Sequence, residues 1–198
     1  MKPPATGTPG KAAGDSSDLR NYQARERLAD DTTLLIRAIL PEDGPTLAAA
    51  FRRLSPRSVR QRFFDVRKEL TPRDIAFFTE LDFDKHVGLA GLVDDGDGAV
   101  PVATARYIRE PDSLRAEMAF VVGDDHQGRG IGTLMFRHLA AIARRRGIAC
   151  FEADVLPDND AMLGVFRRSG YPWRKAARDD VLHVEVDLNP AEKTAPDG

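Results

Sequence analysis

Three glycines on alternate residues stand where a β run gives way to a helix. The segment reads Phe120-Val121-Val122-Gly123-Asp124-Asp125-His126-Gln127-Gly128-Arg129-Gly130-Ile131-Gly132-Thr133-Leu134-Met135. Glycine lets the backbone come close to a ligand, and the first amides of a helix have no intrahelical acceptor. With the helix dipole behind them, such amides suit a phosphate or pyrophosphate. The spacing is G-x-G-x-G. It is neither the G-x-G-x-x-G of dinucleotide folds nor a P-loop, whose lysine is missing here. A tight strand–helix turn would use one such glycine or two. Three, flanked by Gln127 and Arg129, point to a ligand loop.

Read as Q-x-x-G-x-G, Gln127 to Gly132 resembles the acetyl-CoA pyrophosphate loop of the GNAT superfamily of N-acetyltransferases. Leu156-Pro157-Asp158-Asn159-Asp160-Ala161-Met162, followed by Phe166-Arg167-Arg168-Ser169-Gly170-Tyr171, is similar to the superfamily segment N-x-x-[A/M]-x-x-x-[F/Y]-x-[K/R]-x-G-[F/Y]. Less general segments resemble the GNAT domain of bacterial protein-lysine acetyltransferases. Leu54-Ser55-Pro56-Arg57-Ser58 through Arg62-Phe63-Phe64 is similar to their "LSP-S…RFF" helix. Leu81-Asp82-Phe83-Asp84 resembles their strand entrance, and Ala116-Glu117-Met118-Ala119-Phe120 their "AE-A" strand.

This resemblance covers Leu34 to Leu188 and implies the GNAT acyl-CoA N-acyltransferase fold with acetyl-CoA as donor. It assigns donor contacts to Val121, Val122, Gln127, Gly128, Arg129, Gly130, Ile131, Gly132 and Thr133. Pantetheine would lie between the strand ending at Val122 and the splayed strand Cys150–Val155, with Asn159 and Phe166 facing it. The implied acceptor is a protein lysine, with acetyl-CoA synthetase or another acyl-CoA synthetase as the target.

Acetyl transfer from a thioester needs a neutral amine. A lysine with pKa about 10.4 is almost wholly protonated near neutrality, so a base must take the proton. Glu117 is the carboxylate best placed for this, on the strand that leads to the glycine loop. Its run is otherwise apolar, and burial there would raise its pKa toward a useful value. The family's catalytic glutamate matches it; the plain alternative is a half-exposed strand glutamate. Amides of Val121 or Val122, unpaired at a splayed strand end, would stabilise the oxyanion. Many relatives place a tyrosine acid where this chain has Phe166, so no general acid is assigned. A thiolate near pKa 8.5, roughly, can leave without one. Two other functions fit the scaffold. One is a small-molecule amine acetyltransferase with an enclosed acceptor pocket. The other is a non-catalytic acyl-CoA-binding module, against which the presence of Glu117 argues.

Holding these groups in place takes a domain, expected over residues 31–189 with tails at 1–30 and 190–198. Leu34-Leu35-Ile36 suggests a first strand, and Thr46 to Leu54 a helix by apolar spacing. Ser55-Pro56 and Thr71-Pro72 each pair a hydroxyl cap with a first-turn proline. Strands Lys85–Val93 and Val100–Ile108 flank Asp94-Asp95-Gly96-Asp97-Gly98, a hairpin turn rather than a calcium loop. A helix from about Gly130 to Arg146 presents Ile131, Leu134, Met135, His138, Leu139 and Ile142 inward. Strand Ile148–Val155, helix Asn159–Ser169 and strand Val181–Leu188 complete the order β-α-α-α-β-β-β-α-β-α-β. That order predicts an α/β chain whose mixed, mostly antiparallel sheet carries helices on both faces.

The 198 residues carry a net charge of −2 with pI near 6.1, so nothing global draws the chain to nucleic acid or an anionic membrane. Cys150, the one cysteine, sits in an apolar run and reads as a buried inert thiol. Its four histidines lack ligand spacing, and no metal is expected. No secretory or membrane segment is apparent, which makes the cytoplasm the expected location.

Overall fold

In a computed structural model, residues 19–96 and 98–189 are described. They form one sheet in the order β1-β2-β3-β4-β5-β6-β8-β7. Its strands are β1 (Gln23–Arg27), β2 (Thr33–Ala38), β3 (His86–Asp94), β4 (Ala99–Arg109), β5 (Arg115–Val122), β6 (Cys150–Val155), β7 (Trp173–Arg178) and β8 (Val181–Asp187). The helices are α1 (Gly44–Arg52), α2 (Pro56–Phe63), α3 (Pro72–Thr79), α4 (Ile131–Arg145) and α5 (Asp160–Ser169). Neighbouring strands are antiparallel except β5 and β6, which gives the mixed, mostly antiparallel sheet that the sequence predicts.

Helices α2 and α3 start at the expected caps. Ser55 accepts the amide of Ser58 and Thr71 that of Asp74, while proline fills a first-turn position whose amide would lack a partner anyway. Along β4 the side chains alternate. Ala103, Ala105 and Tyr107 join the core shared with α4, whereas Thr104 and Arg106 face the cavity under α1, α2 and α3. Phe136, outside the stripe expected for α4, is the hub of that core. Its ring meets those of Phe120, Phe151, Phe166 and Tyr171 at centroid separations between 5.8 and 6.3 Å. Burying one such ring contributes about 1.5–3 kcal/mol.

Two strands escape the sequence pattern. The tail expected over residues 1–30 ends early. A 3-10 turn at Leu19–Asn21 leads into β1, which pairs with β2 along its whole length. At the opposite edge, β7 pairs with β8. The tail expectations for residues 1–18 and 190–198 lie outside the described residues. Cys150 is half-buried rather than buried, and burial pushes its thiol pKa up. Among the described residues, no helix is long and apolar enough to cross a membrane.

Candidate active site

The three glycines of the loop do two different jobs. Gly128 and Gly130 hold φ of +76° and +85°. A side chain in this left-handed region costs roughly 1–2 kcal/mol. Gly132 lies in the first turn of α4, where an added Cβ would stand 3.1 Å from Val165 Cγ2 on α5. Two glycines therefore turn the chain and the third lets two helices touch. The amides of Thr133 and Leu134 both return to the Gly130 carbonyl at 3.1 Å. Ahead of them, Ile131 and Gly132 occupy the positions whose amides have no intrahelical acceptor. The Ile131 side chain is buried in the core, so its backbone is what it offers a ligand.

The polar side chains of the loop act as struts. Gln127 Nε2 donates to the Val122 carbonyl at 3.1 Å and to Ser58 Oγ at 3.2 Å, tying the loop to β5 and α2. Arg129 donates to Asp30 at 2.6 and 3.0 Å and to Thr32 at 2.9 Å. Its guanidinium is thus committed to the β1–β2 turn. Sequence reading missed Asp124, which accepts from the Ser55 amide, the Ser55 hydroxyl and the Ser58 hydroxyl at 2.7 to 2.8 Å. Burial pushes the Asp124 carboxyl up, but those three donors outweigh it and hold it below the ordinary carboxylate value. The Ser-Pro-x-Ser spacing was the visible signal, since it places both hydroxyls at the start of α2.

Beside the loop the sheet opens. β5 pairs with β6 at Arg115, Ala116 and Glu117. From Met118 to Val122 it keeps its register with β4 alone, while β6 follows β8 to Val155. Ladder alternation then fixes where the amides go. The Gly123 amide donates to Val102 of β4 at 2.8 Å, so Val121 also turns toward β4. Phe120 and Val122 turn toward the gap. Of the two amides expected to serve, Val122 faces the opening and Val121 does not; Phe120 takes its place.

A cavity of about 600 Å³ follows this edge, bounded by Phe120–Val122, the loop from His126 to Thr133, and Asn159, Met162 and Val165 of the α5 region. Asn159 lines it and caps α5, accepting the Met162 amide at 3.1 Å. Phe166 does not line it. Expected to face the donor's arm, Phe166 is fully buried against Phe136 and Trp173, because the helix turns it to the core while Met162 and Val165 face outward. Thr133 Oγ1 is buried at the cavity and has no hydrogen-bond partner among the described residues. An orphaned hydroxyl beside free helix amides and left-handed glycines fits a pyrophosphate-bearing ligand.

Glu117 is exposed, which corrects the expected burial. The apolar residues around it alternate faces, and its neighbours Ala116 and Met118 point into the core, as Phe120 does further along. Glu117 shares its face with Ala119 and Val121, and opposite them on β4 stand Ile108, Arg106 and Thr104. A second cavity of about 370 Å³ lies under α1–α3 over the Thr104, Arg106 and Val121 part of this face, and shares Arg62, Val121 and His126 with the first; Glu117 lines neither. Burial lowers the Arg62 guanidinium to about 10, against the opposing pull of Glu117. Arg106, at 5% exposure, is lowered by burial to about 9. Both were missed, although for Arg106 an arginine at an inward position of an apolar strand was there to be seen.

Residues 49–171 match the model of the acetyltransferase (GNAT) family. The acetyltransferase Pat of Mycolicibacterium smegmatis is 34% identical over 160 residues, a stretch covering 79% of this chain and 46% of that protein. The chain thus spans about half the length of this curated relative. Among solved structures, the GNAT domain of S. lividans PAT superposes with a TM-score of 0.77 at 36% identity, covering 83% of this chain and 96% of that one. A cAMP-binding acyltransferase from Mycobacterium smegmatis gives 0.58 at 31% identity, covering 89% of this chain and 50% of its own. The glycine loop, the parted strands and these likenesses agree: the chain belongs to the acetyltransferase (GNAT) family.

Proposed function

We propose that the chain transfers the acetyl group of acetyl-CoA to the ε-amine of a protein lysine by direct attack, with Glu117 as general base. The observation that carries this reading is the parting of β5 from β6 beyond Glu117. It leaves a carboxylate at one end of an open strand edge and a glycine-turned helix N-terminus at the other.

Acetyl-CoA, the donor of the family, supplies the thioester carbonyl. The backbone from Gln127 to Gly132 would hold its pyrophosphate, with Thr133 Oγ1 as a further donor. The Phe120 and Val122 amides would meet the arm and the negative charge that develops on the acyl oxygen. Glu117 is exposed and free of hydrogen-bond partners among the described residues, so it can take a proton from an incoming ammonium directly or through a water. The likeness to Pat and to the PAT domain supports a protein acceptor. An acyl-CoA synthetase such as acetyl-CoA synthetase is the target to try.

The test is acetylation of purified acetyl-CoA synthetase by wild type and Glu117→Ala, with calorimetry of acetyl-CoA binding alongside. Lysine modification by the wild type, lost in a variant that still binds the donor, supports both parts of the reading. Tight donor binding with an unmodified synthetase removes that target.

A further inference from the structure

Arg53, Arg62 and Arg106 line the cavity under α1–α3, and proton transfer by Glu117 has no use for them. Among the described residues, neither Arg106 nor Arg62 has a carboxylate within ion-pair distance. The Arg106 guanidinium lies 4.3 Å over the Phe78 ring and meets His86 Nε2 at 3.3 Å. Arginine can only donate, so His86 Nε2 accepts and its ring proton is on Nδ1. Burial, helped by Arg106, pushes the His86 pKa down to about 4, so this neighbour brings no charge of its own. Burying a cation without a counter-ion is costly; Arg106 is buried in this wall, and the half-buried Arg62 beside it feels Glu117 as its opposing charge.

The rest of the wall is largely apolar, with Leu47, Phe51, Phe63 and Phe78 among its residues, and it also carries Asp95, Asp125 and Asp124, the last of them bonded to Ser55 and Ser58. Guanidinium forks favour planar, two-oxygen acceptors. The cavity adjoins the one along the β5 edge, sharing Arg62, Val121 and His126 with it. Arg106 stands opposite Ala119, between Glu117 and Val121 on β5. We propose that this cavity is a subsite for a carboxylate carried by the amine acceptor, anchored by Arg106 and Arg62, with the apolar walls taking its methylenes. The inference rests on the reading that the acceptor amine is presented on the Glu117 face of β5. Two acceptors carry the required group: a lysine flanked by acidic side chains, and a free amino acid with its own carboxylate.

The experiment compares paired acceptors with the full chain and acetyl-CoA. One pair is N-acetyl-Glu-Lys-Glu-amide against N-acetyl-Gln-Lys-Gln-amide; the other is free lysine against lysine amide. Each is assayed with wild type, Arg106→Gln and Arg106→Lys. In the wild type, the acidic member of one pair should show a KM about ten-fold lower or more than its neutral partner. That gap should collapse in Arg106→Gln and survive in part in Arg106→Lys. A gap in the peptide pair assigns the carboxylate to a protein acceptor, and a gap confined to free lysine assigns it to a small molecule. Equal KM values within both pairs overturn the proposal. Should none of these acceptors turn over, acetyl transfer to lysine is what has failed, and calorimetry with glutarate decides the subsite. Binding by wild type that Arg106→Gln loses supports it; no binding to wild type overturns it. Should Arg106→Gln fail to fold, Arg62→Gln takes its place in both arms.

Discussion

Glu117 and Glu152 form the last register pair between β5 and β6, and they differ in what they are free to do. Glu152 accepts from Arg115, which also bonds Glu185, so that carboxylate is held by the sheet. Glu117, on the same face, has no hydrogen-bond partner among the described residues. The strands part immediately beyond the pair. A committed carboxylate therefore anchors the fork and an uncommitted one faces the opening.

Replacing Glu117 by Gln keeps the shape and removes the base. A positioned general base contributes about 10²–10⁴ in rate. We expect kcat to fall within that range while the Kd for acetyl-CoA, read by calorimetry, stays within about two-fold. An equal loss in both quantities would mean that Glu117 shapes the donor site instead.

Asp124 joins α2 to the loop, and its hydrogen bonds make stability pH-dependent. Its carboxyl is held below the ordinary value in the folded chain. The stabilisation is therefore complete above the unfolded pKa of about 3.9 and is lost as pH falls through the lower folded value. Asp124→Asn should cost roughly 1 kcal/mol near neutrality, a figure kept small because the carboxylate is exposed. Melting curves of the two proteins should converge in acid. A difference that persists below about pH 2 would show that the charge is not the cause.

Gly132 and Val165 make a prediction about coupling. An alanine at position 132 brings its Cβ to 3.1 Å from Val165 Cγ2, so α4 and α5 must shift by a few tenths of an ångström. Gly132→Ala should lower both Tm and acetyl-CoA affinity, since the same turn presents the loop amides. Val165→Ala removes the methyl that clashes. The double variant should recover much of the affinity, with a coupling energy of about 0.5–3 kcal/mol in a double-mutant cycle. Strict additivity would sink the steric account.

The loop and the helix starts were legible because each has a local cause. Glycines at +76° and +85°, a serine cap and a first-turn proline act within a few residues. Strands β1 and β7 had no such signature. Gln23–Arg27 and Trp173–Arg178 are edge strands whose side chains are largely exposed, so ladder hydrogen bonds place them and apolar alternation does not. The error at Phe166 is one of helical phase. The motif fixes the helix, but the angle between Val165 and Phe166 decides which of them meets the cavity. For Glu117 the composition of the run suggested burial, whereas alternation put its neighbours in the core and left it outside. The inward position of Arg106 was visible in the sequence, but that no carboxylate of the described residues stands within ion-pair distance of it needed the third dimension.

Thr133 separates a ligand contact from a structural one by the sign of its effect. Its hydroxyl is buried and unpartnered, a state that costs about 1–3 kcal/mol. Thr133→Val keeps the branched shape and removes the orphaned group. Without donor, the variant should melt at the same temperature as wild type or above it. With saturating acetyl-CoA the order should reverse, because the wild type gains a hydrogen bond that valine cannot make. The Kd of the variant should rise about ten-fold, the equivalent of roughly 1.4 kcal/mol. Thermal melts with and without donor read both signs in one experiment. A variant destabilised in both conditions would mean that the hydroxyl already has a partner in the free protein. One unaffected in both would remove Thr133 from the donor site.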